Sequence, residues 1–311
     1  MFAFILRRIL YGIPIVLATT LLLFLIFNIV PGDPVLQVAG KHVSPELYAT
    51  IKHELGLDQP MYMQYWNLLK QLMTFDFGRS YATKQLISDM IWDGAGVSLS
   101  LLLPPFLISV VASIITGMLL AYYRGTFLDR FAVAVSVGMQ AVSVLVYIIV
   151  GQYVLAFQMN WFPISGYDPS WTGRWSYLVL PALIDIVLTL APEIRFYRTV
   201  FLDELYQDYV RTARSKGLKD STIMFRHVLK NAMIPIITNL ILSLPLLILG
   251  ALLLESYFSI PGLGELVVRA IANSDRPVLI SITILGTVLY VIFNILSDVL
   301  YAVFDPRVQL K

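Results

Sequence analysis

The chain has 311 residues, 58% hydrophobic and 14% charged, with a mean hydropathy of +0.77, more apolar side chain than a water-soluble core can hide. A net charge of +2 gives no sign of a nucleic-acid partner, and the absence of cysteine excludes disulfides and thiol chemistry. The three histidines are scattered, and His53-Glu54 lacks the second histidine of a metal-hydrolase motif.

In chain order, Met1 to Arg8 is a short basic start and Ile9 to Val30 an apolar run long enough to cross a bilayer, which needs about 20 residues. It exceeds the core of a cleaved signal and lacks small residues at its end, so it reads as an uncleaved first span. Arg7 and Arg8 place its start in the cytosol. Pro31-Gly32-Asp33-Pro34 is a turn at the membrane exit, opening a polar outer stretch to Gly96. Within that stretch Ser44 caps a helix with Pro45 in its first turn. Tyr62, Tyr65, Trp66, Leu69, Leu72 and Met73 recur at helical spacing, as an aromatic interface anchor or as core cover.

Further spans are expected at Val97–Tyr123, Phe131–Phe157, Tyr177–Tyr197 (interrupted by Pro181 and Pro192), Ile234–Leu254 and Pro277–Val303. This makes an all-α polytopic protein with six transmembrane helices and both termini cytoplasmic. Of the 22 Lys and Arg, fourteen fall on the expected cytosolic side, and five of the other eight lie in the long outer stretch, where charge constrains topology least. The chain divides into residues 1–96 (first span plus outer helical segment), 97–304 (a five-span core) and 305–311 (tail).

The most cationic segment is 208–235, which reads helix, break, helix. Gly217 supplies a left-handed cap, and Asp220 or Ser221 caps the second helix. Ile223, Met224, Phe225 and Val228 form an apolar ridge among Arg226, His227 and Lys230. Such an element serves either as a handle for another protein or as a charged loop that only fixes topology.

Carboxylates inside spans are costly, roughly 2.5–3.5 kcal/mol at mid-span on insertion scales. Asp185, near the middle of the fourth span, reads as lining for a polar passage that meets a substrate amine, or as a helix-to-helix bond. Asn239, Asn294 and Glu255 are weaker candidates for the same path, Glu255 equally as an interfacial charge. Gln140 and Gln152 read as interhelical bonds, Glu193 as the partner of Arg195 or Arg198, and Asp298 as fixing a helix end.

Six motifs in order carry a resemblance: PGDP at 31–34, LGLDQP at 55–60, FDFG at 75–78, RTARSKG at 211–217, FSIPGLG at 258–264 and SDVLYAVFDPR at 297–307. With Ala213, Gly217, Phe225, His227, Leu229 and Asn231, they resemble the coupling loop and flanks of ABC-transporter permeases of the dipeptide/oligopeptide/nickel importer group. Arg211 and Thr212 stand where the general motif has Glu-Ala, and Lys230 where it has Pro.

The resemblance implies a type I ABC importer transmembrane fold in the bacterial inner membrane. It also implies a second homologous permease subunit, two cytosolic ABC ATPases and an extracytoplasmic binding protein. ATPase coupling would fall to Ala213, Gly217, Ser221, Ile223, Met224, Phe225, Arg226, His227 and Asn231, with Ile223, Met224 and Phe225 as anchors on the ATPase. This chain has no Walker-type phosphate loop, so it is expected to be no enzyme and to bind no cofactor, ATP and Mg lying on the ATPases. Di- or oligopeptide is the expected cargo, moved by alternating access. Nickel or a metal chelate, haem, glutathione and antimicrobial peptides are alternatives, and an ion-driven secondary transporter is the rival mechanism.

Overall fold

A computed structural model describes residues 2–29, 34–39 and 43–304. The exit turn at Pro31-Gly32-Asp33, His42 and the tail from Asp305 lie outside them. The described residues are helical throughout, apart from loops and one isolated bridge between Arg79 and Leu86. Among the described residues, five helices are long and apolar enough to cross a membrane: α1 (Phe2–Ile29), α5 (Ile87–Tyr122), α8 (Arg174–Leu205), α11 (Leu229–Leu249) and α14 (Arg276–Phe304). Between α1 and α5 lie α2 (Pro34–Ala39), α3 (Pro45–Glu54) and α4 (Met61–Met73). Ser44 caps α3 as expected, its Oγ accepting from Leu47 N at 3.3 Å.

The remaining crossing differs from the sequence expectation. Instead of one span over Phe131–Phe157, α6 (Phe127–Ala141) and α7 (Val144–Gly151, continued as a π-helical stretch Gln152–Gln158) meet at 89°. The break is two extended residues, Val142 (ψ 133°) and Ser143 (ψ 143°), with neither Gly nor Pro to announce it. The pair still runs from one face of the bundle to the other. Asp129 on α6 binds Arg198 near the C-terminal end of α8, while Gln152 donates to Tyr257 O (3.2 Å) and Ile164 O (3.0 Å) at the opposite face.

The two prolines expected to interrupt the fourth span do not. α8 is continuous through Pro181 and Pro192, packed along α5 for most of its length. In an apolar bundle neighbouring helices and local adjustment absorb the lost hydrogen bond. The second span starts ten residues early, so the expected boundary at residue 96 falls inside α5. Ile87, Ile91, Gly94 and Ser98 recur at helical spacing and are buried, Gly94 against Leu263. Ser88, Asp89 and Asp93 on the other side disguise that stripe. The fifth span ends at Gly250, whose φ of 81° breaks the helix before α12 (Leu252–Phe258) and α13 (Leu263–Ala272).

Arg8 at the start of α1 pairs with Asp298 near the end of α14 at 3.0 Å, putting both ends of the described chain on one face. The 208–235 segment lies on that face as well, beside Tyr122 and Tyr123 at the end of α5. We call it the loop face. On the far face, Asp275 before α14 accepts from Ser80 Oγ and from Tyr81 N (3.1 Å) and Ala82 N (3.2 Å), fastening the α2–α4 segment to the bundle.

One ion pair is bidentate and largely buried. Arg198 Nε and Nη2 meet the buried Asp129 carboxylate at 2.6 and 2.8 Å, and Gly125 N donates to it at 2.9 Å. Removing one partner strands the other, at a cost of about 3–5 kcal/mol. Arg198→Ala is therefore expected to lower the thermal midpoint of the purified protein, and adding Asp129→Ala to recover part of that loss. A single variant as stable as the parent would contradict this.

Candidate functional site

The loop segment begins where α8 ends. After Gln207 (ψ 151°) comes α9 (Asp208–Ser215), closed by the expected left-handed glycine. Gly217 has φ 76°, its N–H donates to Arg214 O at 2.9 Å, and Leu218 N reaches Ala213 O at 3.3 Å. The chain re-enters helix at Lys219, which occupies the cap position expected of Asp220 or Ser221, with no side-chain cap bond. α10 (Asp220–Thr222) passes into a π-helical turn, Ile223–Val228, closed by Leu229 N on Met224 O, and then into α11. The second helix of the hairpin is thus the first part of the fifth span.

Burial divides the residues of this element in two. Val210, Ala213, Ile223, Met224 and Val228 are buried against Tyr197, Phe201 and Leu205 of α8 and against Ala232 and Ile236 of α11. Ile223 and Met224, expected to anchor a partner, are corrected here: the wider π-helical turn directs both into the chain's own core. Phe225 is 62% exposed. It borders a groove of about 230 Å³ walled by Met118, Leu119, Tyr122, Tyr123, Ser221 and Met224.

Ser221, Arg226 and Asn231 are exposed, and His227 is half-buried. Arg211, Arg214, Lys216, Lys219 and Lys230 form an exposed cationic rim. Arg214 and Asp220 pair at 3.5 Å across the glycine turn, a half-exposed contact worth about 0–1 kcal/mol. Under the rim, Tyr209 Oη donates to Glu204 Oε2 at 2.6 Å, and burial together with that bond pushes the phenol up to about 12. The element is therefore fixed by one face to α8 and α11 and presents one aromatic among cations on the other.

The family model for a binding-protein-dependent transport system inner membrane component matches residues 113–310, and the model for the N-terminal part of such membrane components matches residues 1–102. The chain belongs to this family. Among its relatives, a Brucella abortus protein named for a peptide transport system permease is 36% identical over 99% of both chains. The Escherichia coli glutathione transport system permease protein GsiC is 30% identical over the full length of both. The chain is accordingly a multi-pass inner-membrane permease subunit of an ABC importer, with no enzymatic activity of its own.

Inside this permease, α8 carries a polar stripe at a spacing of four: Asp185, Thr189, Glu193 and Tyr197. Thr189 Oγ1 donates to Ser109 Oγ at 2.9 Å, Glu193 Oε2 accepts from Ser113 Oγ at 2.8 Å, and Asn239 Nδ2 donates to Tyr197 Oη at 3.4 Å. Asp185 is half-buried at the end of the column away from the loop face. Glu193 pairs with neither expected arginine, because Arg198 is held by Asp129 and Arg195 donates to Gln140 Oε1 at 3.2 Å. The two carboxylates thus stand two turns apart in the membrane with no ion pair to either among the described residues.

Asn239 joins this column, and Asn294 is half-buried on α14. Glu255 sits elsewhere, fully buried on the far face. Its Oε1 accepts from Ser98 Oγ (2.8 Å) and Ala251 N (3.0 Å), and its Oε2 from Gly264 N (2.7 Å) and Glu265 N (3.1 Å). Expected either at a gate or path or as an interfacial charge, it is fully buried and ties the FSIPGLG segment to α5. Sequence reading missed Thr189, Ser109 and Ser113. The spacing of four is visible in the sequence, but Arg195 and Arg198 beside Glu193 suggest an ion pair instead.

Proposed function

We propose that this permease moves di- or oligopeptides by alternating access. Its partners in this reading are a second homologous permease, two ATPases that carry ATP and Mg and dock on the loop face, and an extracytoplasmic binding protein. The loop face is then cytoplasmic. The observation that carries the reading is that Phe225 is exposed on a cationic element that is continuous with α11 and packed on α8. A push on that side chain reaches two membrane-crossing helices directly, and this chain supplies no phosphate loop to generate it. The naming of relatives for peptide and glutathione transport supports the cargo class.

The polar column on α8 is the translocation lining in this reading, with Asp185 meeting the cargo ammonium. Asp185→Asn is expected to lower uptake of a dipeptide with a free N-terminus several-fold. Basal ATP hydrolysis should stay unchanged, as measured on the complete complex in proteoliposomes. Unaltered uptake removes Asp185 from the path. Uptake driven by an ion gradient without ATP contradicts the mechanism as a whole.

A further inference from the structure

A second surface stands apart from transport. At 3.6 residues per turn, Tyr62, Trp66, Leu69 and Met73 share one side of α4, and Gln64, Asn67 and Gln71 share the opposite side. The apolar side of the helix is not used up by packing on the bundle. Tyr65, Leu68 and Leu72 turn toward the bundle, and Gln64, Asn67 and Gln71 border, with Leu68, Leu72, Asn28 and Arg276, an open cavity of about 220 Å³ at whose rim Asn67 and Gln71 stay exposed. On the apolar side Tyr62, Trp66 and Met73 are exposed, Met73 by 82%, and no residue of α4 is buried.

Contacts with α1 fix the level at which α4 lies. The ring of Tyr65 is 5.4 Å from that of Phe24, and its hydroxyl reaches Thr20 Oγ1 (3.0 Å) and Leu17 O (3.3 Å). Phe24, Phe27 and Asn28, in the last two turns of the first crossing, border the same cavity. α1 exposes Leu21, Leu22 and Leu25 near that level. A helix with tyrosine and tryptophan on one side, placed where a crossing segment leaves the hydrocarbon, matches the chemistry of the bilayer boundary.

We propose that α4 is immersed in the far-face leaflet, with Tyr62, Trp66 and Met73 among lipid chains and headgroups. Its protein contacts run through Tyr65, Leu68 and Leu72, and its amide side meets the open cavity. Since Asp275 fastens the neighbouring residues Ser80 to Ala82, this float moors the whole segment between α1 and α5 to the membrane surface.

The chain has no cysteine, so single labels are unambiguous. Nitroxides at Tyr62→Cys, Trp66→Cys and Met73→Cys, in the complete transporter in lipid nanodiscs, are expected to collide freely with oxygen and little with a water-soluble nickel chelate. A nitroxide at Asp89→Cys, an exposed carboxylate position, should show the opposite order. Free collision with the chelate at the three stripe positions would make the surface aqueous. Shielding from both reagents would mean that another protein chain covers it. Either result overturns the proposal.

Discussion

Phe225→Asp, made in the assembled transporter, is expected to abolish cargo-stimulated ATP hydrolysis and uptake while the permease still inserts and remains folded. The side chain is 62% exposed and contributes little to the chain's own core, so the change strikes only what lies against it. Loss of an aromatic anchor at a docking surface costs about 2–4 kcal/mol, roughly 30- to 1,000-fold in affinity, and a buried carboxylate adds to that. Co-purification of the ATPases with the permease measures it. The contrast is Ile223→Asp: Ile223 is fully buried against α8 and α9, so this variant should lower accumulation of the permease itself. Retained coupling in Phe225→Asp would remove the loop face as the seat of docking.

The second large effect is expected at Glu255. Truncation to alanine leaves three backbone N–H groups and the Ser98 hydroxyl without their acceptor in a buried site, each costing about 1–3 kcal/mol. Glu255→Ala should therefore fail to accumulate, and Glu255→Gln should accumulate at a reduced melting temperature. Gly262→Ala tests the same knot from the other side, since an added Cβ collides with Glu255 Oε2 and Ser98 Oγ. Because Ser98 also accepts from Leu263 N at 2.9 Å, Ser98→Ala should show a smaller loss of the same kind. Parental yield and melting temperature for Glu255→Ala would show that the carboxylate does not hold α12 and α13 to α5.

Much of the architecture was legible because its signals are strong and local. Runs of about 20 apolar residues, the cationic segment between two of them and Gly217 with its positive φ all have one dominant physical reading. The failures have particular causes. Val142 and Ser143 break the third crossing through backbone angles that no breaker residue announces. Pro181 and Pro192 announce breaks that α8 does not make, because packing along α5 outweighs the local preference.

At the candidate site the composition of the ridge was visible, but not which way it faced. With 3.6 residues per turn Ile223, Met224 and Phe225 spread around the helix, and only the π-helical turn determines which of them is left outside. Glu255 was beyond reach for a similar reason. Its four donors come from α5, from Ala251 and from the stretch after Pro261, which only the folded chain brings together.

The most direct test of docking on the loop face uses one cysteine, Ser221→Cys, beside the Phe225 groove in a chain that has none of its own. A membrane-impermeant maleimide should not label it in intact cells. In inside-out vesicles it should label slowly while the transporter is complete and quickly once the ATPase subunits have been stripped away. Labelling from outside the cell, or fast labelling in a complete and working transporter, would contradict the account.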